Sequence, residues 1–430
     1  MLIITYYWPP SGGSGVQRWM YFAKYLPEFK IHPIVITVDP EFASYKFSDF
    51  SFLEKVSEVE VYKTRSSEPF KLYSKFIGKS KEEAIPQAFT GESNPTVFQK
   101  IGRFLRGNFF IPDARIGWVN YAFKEAELII AKEKIDVVIT TGPPHSTHLI
   151  GLKLKKKYNL KWIADFRDPW TELFYNKLFF RTSLANLIDR NLEAQVINSA
   201  DNILTIGPSM ADLLKSKIDF KVNPGKKVSY IYNGYDHEVF KKIKRTRKNP
   251  KFTICHLGIL SDNQPIDGFI EALKNANGRF EMKVQLIGKI STKILKEIKA
   301  GIPEIELELF DYMNHQDAMQ AIQNADLLLN SLAEVPNGKY LISGKLIEYI
   351  ATGNPILCLG TKDGDASKIL EQFENSKVID RYNFIEIASL IDSIFIKWKK
   401  GKLHISMDHS FEKYSRFNST IQLADLIDKI

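Results

Sequence analysis

The opening of the chain constrains its fold most. LIITYY is a short β-rich run and WPPSGGSG a proline- and glycine-rich turn. VQRWMYFAKYLPEF then places Val16, Met20, Ala23, Tyr25 and Leu26 at helical spacing, and HPIVITV reads as a second strand. Strand, turn, helix, strand is a βαβ unit, and its two strands predict a parallel sheet.

The alternation resumes further on. DVVITTG, KWIADF, NILTIG and VSYIYNG read as strands, with PPHSTHLIGLKLKKKY a loop and helix between the first two. From Pro40 to about Pro112 the pattern is irregular, which predicts an insertion of helices and loops over about 41–117. Its part from Lys71 to Gly117 holds eight basic and four acidic residues among several phenylalanines. KKIKRTRKNP, ending at Pro250, is polar and basic and reads as a solvated linker. A second series follows: FTICHLGI, KVQLIG, ELELF, ADLLLN and NPILCLG as strands, Ile266 to Asn275 as a helix, and a last helix with Ile421, Leu423, Ala424, Leu426 and Ile427 on its apolar side.

A chain of 430 residues suggests two or three domains. The pattern predicts an α/β protein of two doubly wound, Rossmann-like domains, 1–240 and 250–405, with a terminal helix in 406–430. Facing each other, two such domains would form a cleft at the carboxyl ends of their strands. Hydrophobic residues at 44% and charged residues at 25% are ordinary globular usage. No run reaches the roughly 18 apolar residues of a spanning helix, and MLIITYYWPP lacks a basic n-region and a cleavage site, so a cytoplasmic protein is expected. Cys255 and Cys358 each sit in an apolar run, so they read as reduced core residues rather than a disulfide or zinc framework. A net charge of +9 leaves nucleic acid, anionic membrane and phosphorylated substrates open. With no RNA-binding aromatic signature or zinc-finger spacing, nucleic acid is the weakest of the three.

Three regions can carry chemistry. Gly12, Gly13 and Gly15 lie between the first strand and helix, where backbone N–H groups can approach an anion, although the spacing is neither a dinucleotide fingerprint nor a P-loop and also fits a plain tight turn. TGPPHSTH and DFRDPW each follow a predicted strand; they offer His145 and His148, then Asp165, Arg167, Asp168 and Trp170. Asp168 before Pro169 fits a helix N-cap equally well. Lys345 and Glu348 stand three apart on one helix face, where they could neutralise a diphosphate and accept sugar hydroxyls, or form a surface salt bridge. No strand-end loop carries Asp-x-Asp and no His/carboxylate cluster is visible, so no metal is expected.

YYWPPSGGSGVQR, IADFRDPW, ILTIGPSM, YIYNGYDHEVF, HLGIL, VQLIG, ADLLLNSL and KLIEYIATGNPIL run in an order that resembles the GT-B glycosyltransferases, specifically the retaining glycosyltransferase family 4. The resemblance implies a sugar transferred from a nucleotide-diphosphate sugar to a glycan or lipid-linked glycan acceptor in cell-surface polysaccharide synthesis, with no cofactor. It implies that Gly12, Gly13 and Gly258 lie against the donor, that Glu348 binds the nucleotide ribose, that backbone near Tyr312 and Met313 receives the base, that Phe240–Pro250 is the hinge and that the terminal helix crosses back to the first domain. The first glutamate of the family's E-x7-E motif falls on Tyr340, and its phosphate-binding basic pair on Ile259 and Gln264. Lys345 and Arg167 are then the candidates to neutralise the phosphates, with Asp168 and His145 to orient or deprotonate the acceptor. Lys71, Lys75, Lys79, Lys81, Arg103 and Arg106 are candidates to meet an anionic membrane surface. A GT-B nucleotide-sugar 2-epimerase and a catalytically silent nucleotide-sugar- or glycan-binding subunit are the competing expectations.

Overall fold

The computed structural model describes the chain except residues 46–48, 69–95, 222, 247–248, 277–278, 312, 337 and 404–408. It divides into two compact units, Met1–Tyr232 with Arg416–Ile430, and Asn233–Ser415.

The first unit is built on a seven-stranded sheet: β1 (Leu2–Ile4), β2 (Ile34–Val38), β3 (Glu60–Thr64), β4 (Val137–Gly142), β5 (Lys161–Phe166), β6 (Asn202–Thr205) and β7 (Lys227–Tyr230). Every pairing is parallel, in the order β3-β2-β1-β4-β5-β6-β7. Central strands of such a sheet are covered on both faces and read as continuous apolar runs. Leu2, Ile3, Ile4, Ile139 and Ile163 are accordingly fully buried, each contributing about 1.5–3 kcal/mol through burial. β3 lies inside the segment expected to be an insertion of helices and loops. It is an edge strand, EVYKT, exposed or half-exposed over most of its length, so it lacks the apolar run that announces the inner strands.

The second unit carries a six-stranded sheet: β8 (Phe252–Leu257), β9 (Met282–Ile287), β10 (Glu306–Phe310), β11 (Leu327–Ser331), β12 (Ile356–Leu359) and β13 (Lys377–Ile379). Its pairings are all parallel, in the order β10-β9-β8-β11-β12-β13. Helices Asp267–Lys274 and Phe384–Lys399 bring Phe269, Leu273, Ile391 and Phe395 into a core with Phe252, Leu327 and Leu357. Cys255 and Cys358 are buried free thiols, and burial pushes both up to about 12.

The chain leaves the first unit at Tyr232, ahead of the basic run expected to be the linker. That run is not simply solvated. His237–Lys242 is a short helix. Arg245 pairs with the fully buried Asp326, which also accepts from Asn249 Nδ2 at 3.0 Å and Thr253 N at 2.9 Å. One buried carboxylate fixes this basic segment to its own sheet.

The terminal helix Arg416–Asp428 belongs to the first unit, as the family resemblance implies. It packs on helix Ser14–Tyr25: Leu423 is fully buried, Phe417 sits edge-on to Tyr25 at 5.6 Å, and the Arg416 guanidinium lies 3.8 Å from the centre of the Tyr21 ring. Among the described residues no helix is long and apolar enough to cross a membrane.

Candidate functional site

In each sheet the strand order reverses at one place, between β1 and β4 in the first and between β8 and β11 in the second. Loops leaving the carboxyl ends of strands at such a switch point form a crevice, the usual ligand position in an open α/β sheet. The glycine loop follows β1, the His145 loop β4 and the Arg167–Asp168 loop β5, so the first unit gathers three of the predicted segments at one edge.

Their frame is a buried ion pair. Asp165, at the end of β5 and fully buried, accepts at Oδ1 from Arg18 Nε and Nη2 at 3.3 and 3.2 Å. Its Oδ2 accepts from Trp19 Nε1 at 2.7 Å and Thr141 Oγ1 at 2.8 Å. Arg18 Nη1 also donates to the Ile231 carbonyl at 2.8 Å. The first helix is thereby pinned to β4, β5 and the end of β7. Sequence reading saw Asp165 but not Arg18, Trp19 or Thr141 as its partners. The only signal is the polar pair Gln17-Arg18 immediately after the glycine turn, and its partners are distant in the chain.

The helix starts at Ser14 with Gly13 at φ 92°, a conformation that needs glycine, and no acid stands in its first turn. Gly12 precedes it in the same loop. Arg167 holds this loop to its neighbour: Nη1 donates to the Gly15 carbonyl at 2.5 Å, Nη2 to Pro143 O at 2.5 Å and Nε to Gly142 O at 3.3 Å. A Cβ on Gly15 would stand 3.2 Å from Arg167 Nη1, a tight contact that a small shift of the guanidinium would relieve. Three of the five guanidinium N–H groups are used, and burial lowers the group's pKa.

Asp168 does not cap a helix. A turn and a 3-10 segment, Phe174–Phe179, follow it, and the next α-helix starts at Ser183 behind its own cap, Thr182. The Asp168 side chain is exposed and makes no hydrogen bond among the described residues. The surrounding protein lifts its carboxyl above the usual range, with Arg167 opposing the shift.

His145 and His148 are both buried. His145 Nε2 lies 3.1 Å from the Pro169 carbonyl, which fixes the proton on Nε2 and leaves Nδ1 an acceptor with no partner. Its ring stacks on Trp170 at 5.0 Å and 9°. Burial lowers its pKa to about 4, so it is neutral at pH 7. His148 Nδ1 meets Thr140 Oγ1 at 2.9 Å, its ring stacks on Phe166 at 4.5 Å, and burial holds it neutral as well. A Cβ on Gly142 would meet both rings, 2.6 Å from His148 Nε2 and 2.9 Å from His145 Nδ1. Beside His145 opens a small recess of about 60 Å³, lined also by Tyr7, Arg115, Trp170 and Arg181. Arg181 pairs there with the buried Asp189, which also accepts from Trp170 Nε1 at 2.8 Å.

Arg103 and Arg106, expected at a membrane surface, are placed otherwise. Arg103 is buried, and Arg106 is half-buried with its guanidinium 5.0 Å from the centre of the Phe179 ring. Lys71, Lys75, Lys79 and Lys81 lie outside the described residues.

In the second unit Gly258 and Gly288 end β8 and β9 with φ of 101° and 116°. A Cβ on Gly288 would fall 2.6 Å from the Gly258 carbonyl, and one on Gly258 2.7 Å from the Lys345 side chain. Lys345, on helix Gly344–Thr352, donates from Nζ to Ile259 O at 2.7 Å and to His256 Nε2 at 3.4 Å. His256 can accept because its Nδ1 proton is given to Leu329 O at 2.9 Å, and burial lowers its pKa to about 3. Burial lowers Lys345 to about 8, with Glu348 opposing. The lysine is therefore tied to the end of β8 rather than held in a plain surface pair. Sequence reading did not weigh His256, although a histidine within the apolar run FTICHLGI was the available signal.

Gln264 is structural: its Nε2 donates to Ser331 O at 2.6 Å and its Oε1 accepts from Ser261 N at 3.1 Å. Ile259 is 60% exposed. Glu348 is half-buried one turn along from Lys345, and Tyr340 ends a short 3-10 segment before the same helix. Met313 lies in the loop after β10, and Tyr312 is outside the described residues. Among the described residues no group of three or more His, Cys, Asp or Glu could hold a metal ion.

Residues 85–239 match the family model of Glycosyltransferase Family 4. The full chain aligns with the HepE protein of Anabaena in complex with UDP at 13% identity and a TM-score of 0.62, covering 100% of this chain and 99% of that one. This is the GT-B glycosyltransferase fold. Sucrose-phosphate synthase from Thermosynechococcus elongatus is similar at 12% identity and a TM-score of 0.63, covering 100% and 98% of the two chains. A putative UDP-N-acetylglucosamine 2-epimerase from Listeria monocytogenes is similar at 10% identity and 0.53, covering 100% and 96%. No curated protein sequence matches.

Proposed function

We propose that this Glycosyltransferase Family 4-like protein is a retaining hexosyltransferase. The second unit holds a nucleotide-diphosphate sugar, and the first presents a glycan or lipid-linked glycan acceptor of cell-surface polysaccharide synthesis. The observation that carries the reading is the Lys345 ammonium at the second switch point, partly desolvated, beside two glycines whose backbones end neighbouring strands. The ammonium's hydrogen bonds go to a carbonyl and a neutral imidazole, so a diphosphate would bring it a charge-assisted contact that those groups do not. HepE, of the same fold, is described in complex with UDP, which supports a uridine diphosphate donor. Gly258 lets the diphosphate approach the backbone, Glu348 accepts the ribose hydroxyls, and backbone around Tyr312 and Met313 receives the base.

Catalysis in this reading is positioning plus stabilisation of the departing diphosphate, with an oxocarbenium-like sugar. Lys345 supplies the counter-charge without a metal. Gly12 and Gly13 offer the open N-terminal turn of their helix to the donor, and the two unused Arg167 N–H groups add a second cation. Asp168, exposed and unbonded, takes or orients the acceptor hydroxyl proton, and His145, whose Nδ1 is buried against Gly142, helps to wall the recess on that side.

A thermal-shift screen against UDP-, GDP-, ADP- and dTDP-sugars identifies the donor. Glu348→Ala should then weaken the chosen nucleotide diphosphate by about 1.5–3 kcal/mol with the fold intact. An unchanged dissociation constant would count against this placement. Tyr340 and the structural Gln264 favour one competing reading, a silent nucleotide-sugar-binding subunit. Tight binding with neither transfer nor donor hydrolysis would establish that reading instead.

A further inference from the structure

Two neighbouring segments of the first unit turn their apolar side chains outward. Helix Val97–Phe109 exposes Val97, Ile101 and Phe104 on one face and Phe109 at its end, with Phe109 71% exposed. The side turned to the protein carries Gly102, Arg103 and Gly107. Gly107 is packed so closely that a Cβ would stand 2.6 Å from Phe179 Cβ. The second segment exposes Phe180, then Leu184, Leu187 and Ile188 at the start of helix Ser183–Ser199. The two segments are continuous: Asn108 Nδ2 donates to Phe180 O at 3.2 Å, and Asn108 Oδ1 accepts from Thr182 N at 2.7 Å. Eight exposed large apolar residues on one face is the pattern of an interaction surface, since single exposed residues are ordinary and clusters are not.

The charged residues within the face itself are basic, and Glu172 just before its second segment is paired with Lys217. Residues 96–112 and 173–188 contain no aspartate or glutamate. Lys100, Lys177 and Arg190 are exposed, while the next acid, Asp189, is buried against Arg181. A second copy seated on this face would oppose cation to cation. An anionic headgroup layer over an acyl interior matches both the basic rim and the apolar centre.

We propose that the face formed by helix Val97–Phe109 and residues 180–188 docks on a bilayer bearing anionic lipids. Phe110 and Phe179, next in sequence to the exposed Phe109 and Phe180, line the recess beside His145. The docked surface and the acceptor end of the first unit are therefore one region. The proposal does not depend on which donor the second unit takes.

The test uses the full chain and vesicles of phosphatidylcholine alone or mixed with phosphatidylglycerol, with nucleotide binding measured in parallel. The wild type should co-sediment with the anionic vesicles and release in high salt. Leu184→Gln combined with Leu187→Gln alters only exposed side chains and should weaken vesicle binding about tenfold or more, with thermal unfolding and nucleotide affinity unchanged. A wild type that stays in solution with both vesicle types overturns the proposal. So does a double variant that binds vesicles as well as the wild type. A concentration-dependent dimer abolished by the same two substitutions would assign the face to a second copy instead. Loss of vesicle binding with intact nucleotide affinity separates this surface from the donor reading.

Discussion

At the strand ends of the first unit, the cations are committed to the protein itself: Arg18 to Asp165, and Arg167 to the carbonyls of Gly15, Gly142 and Pro143. At the corresponding edge of the second unit, the Lys345 ammonium meets one carbonyl and one neutral imidazole. The physical difference is between Arg18, a buried cation closed into an ion pair, and Lys345, whose hydrogen bonds go to a carbonyl and an imidazole while Glu348 acts on it from one turn along. The first kind fixes geometry, because breaking it strands a charge in low dielectric. The second can gain from a polyanion, which would add to the field of Glu348. The first unit thus has a positioning frame in its closed ion pair, and the second holds its cation through neutral groups beside one carboxylate.

The contrast can be broken most forcefully at Asp165. Asp165→Ala leaves Arg18 uncompensated and Trp19 and Thr141 without their acceptor, and should destabilise the protein by about 3–5 kcal/mol in denaturant titrations. A change below about 1 kcal/mol would mean that the pair is not the frame.

Asp168→Asn tests whether the same edge also does chemistry. Since no helix begins there, a capping loss cannot explain a defect. Turnover should fall about 10²–10⁴-fold with donor affinity nearly unchanged, and near-wild-type turnover would end the claim.

The smallest effect is on the second unit. Lys345→Gln should weaken nucleotide-diphosphate binding by about 1.5–3 kcal/mol. The lysine's pKa is lowered to about 8, so its cation is present below that pH and lost above it. Wild-type affinity should therefore hold from pH 6 to 7.5 and decline above about 8, and the variant should show no such decline. Isothermal titration across that range checks both, and parallel pH curves for the two proteins would remove Lys345 from the site.

The sequence made the inner strands plain because they are covered on both faces; KWIADF coincides with β5 to the residue. β3 was hidden by its polar edge pattern, and β13 by its three-residue length. Strand-end placement of His145, Arg167 and Asp168 was legible, since a loop that follows a parallel strand must emerge at its carboxyl end. Their partners were not. Arg18 and Asp165 are 147 positions apart, and His256 and Lys345 are 89 apart, separations at which local pattern carries no information. The cap reading of Asp168 failed for a related reason: Asp-Pro satisfies the local rule for a helix start, yet Trp170 is drawn down onto His145 and Asp189, and the chain turns instead.

The return of Arg416–Ile430 to the first unit has a consequence for biosynthesis. Helix Ser14–Tyr25 leaves the ribosome before the second unit, yet Leu423 and Phe417 cover it only after all of Asn233–Ser415 has been synthesised. At about 5–20 residues per second, the nascent first unit waits tens of seconds with that apolar groove uncovered. The second unit has no such debt, since all of its strands come from one continuous stretch of chain. It can complete its sheet while its older neighbour is still unsealed, so the order of synthesis and the order of completion run in opposite directions.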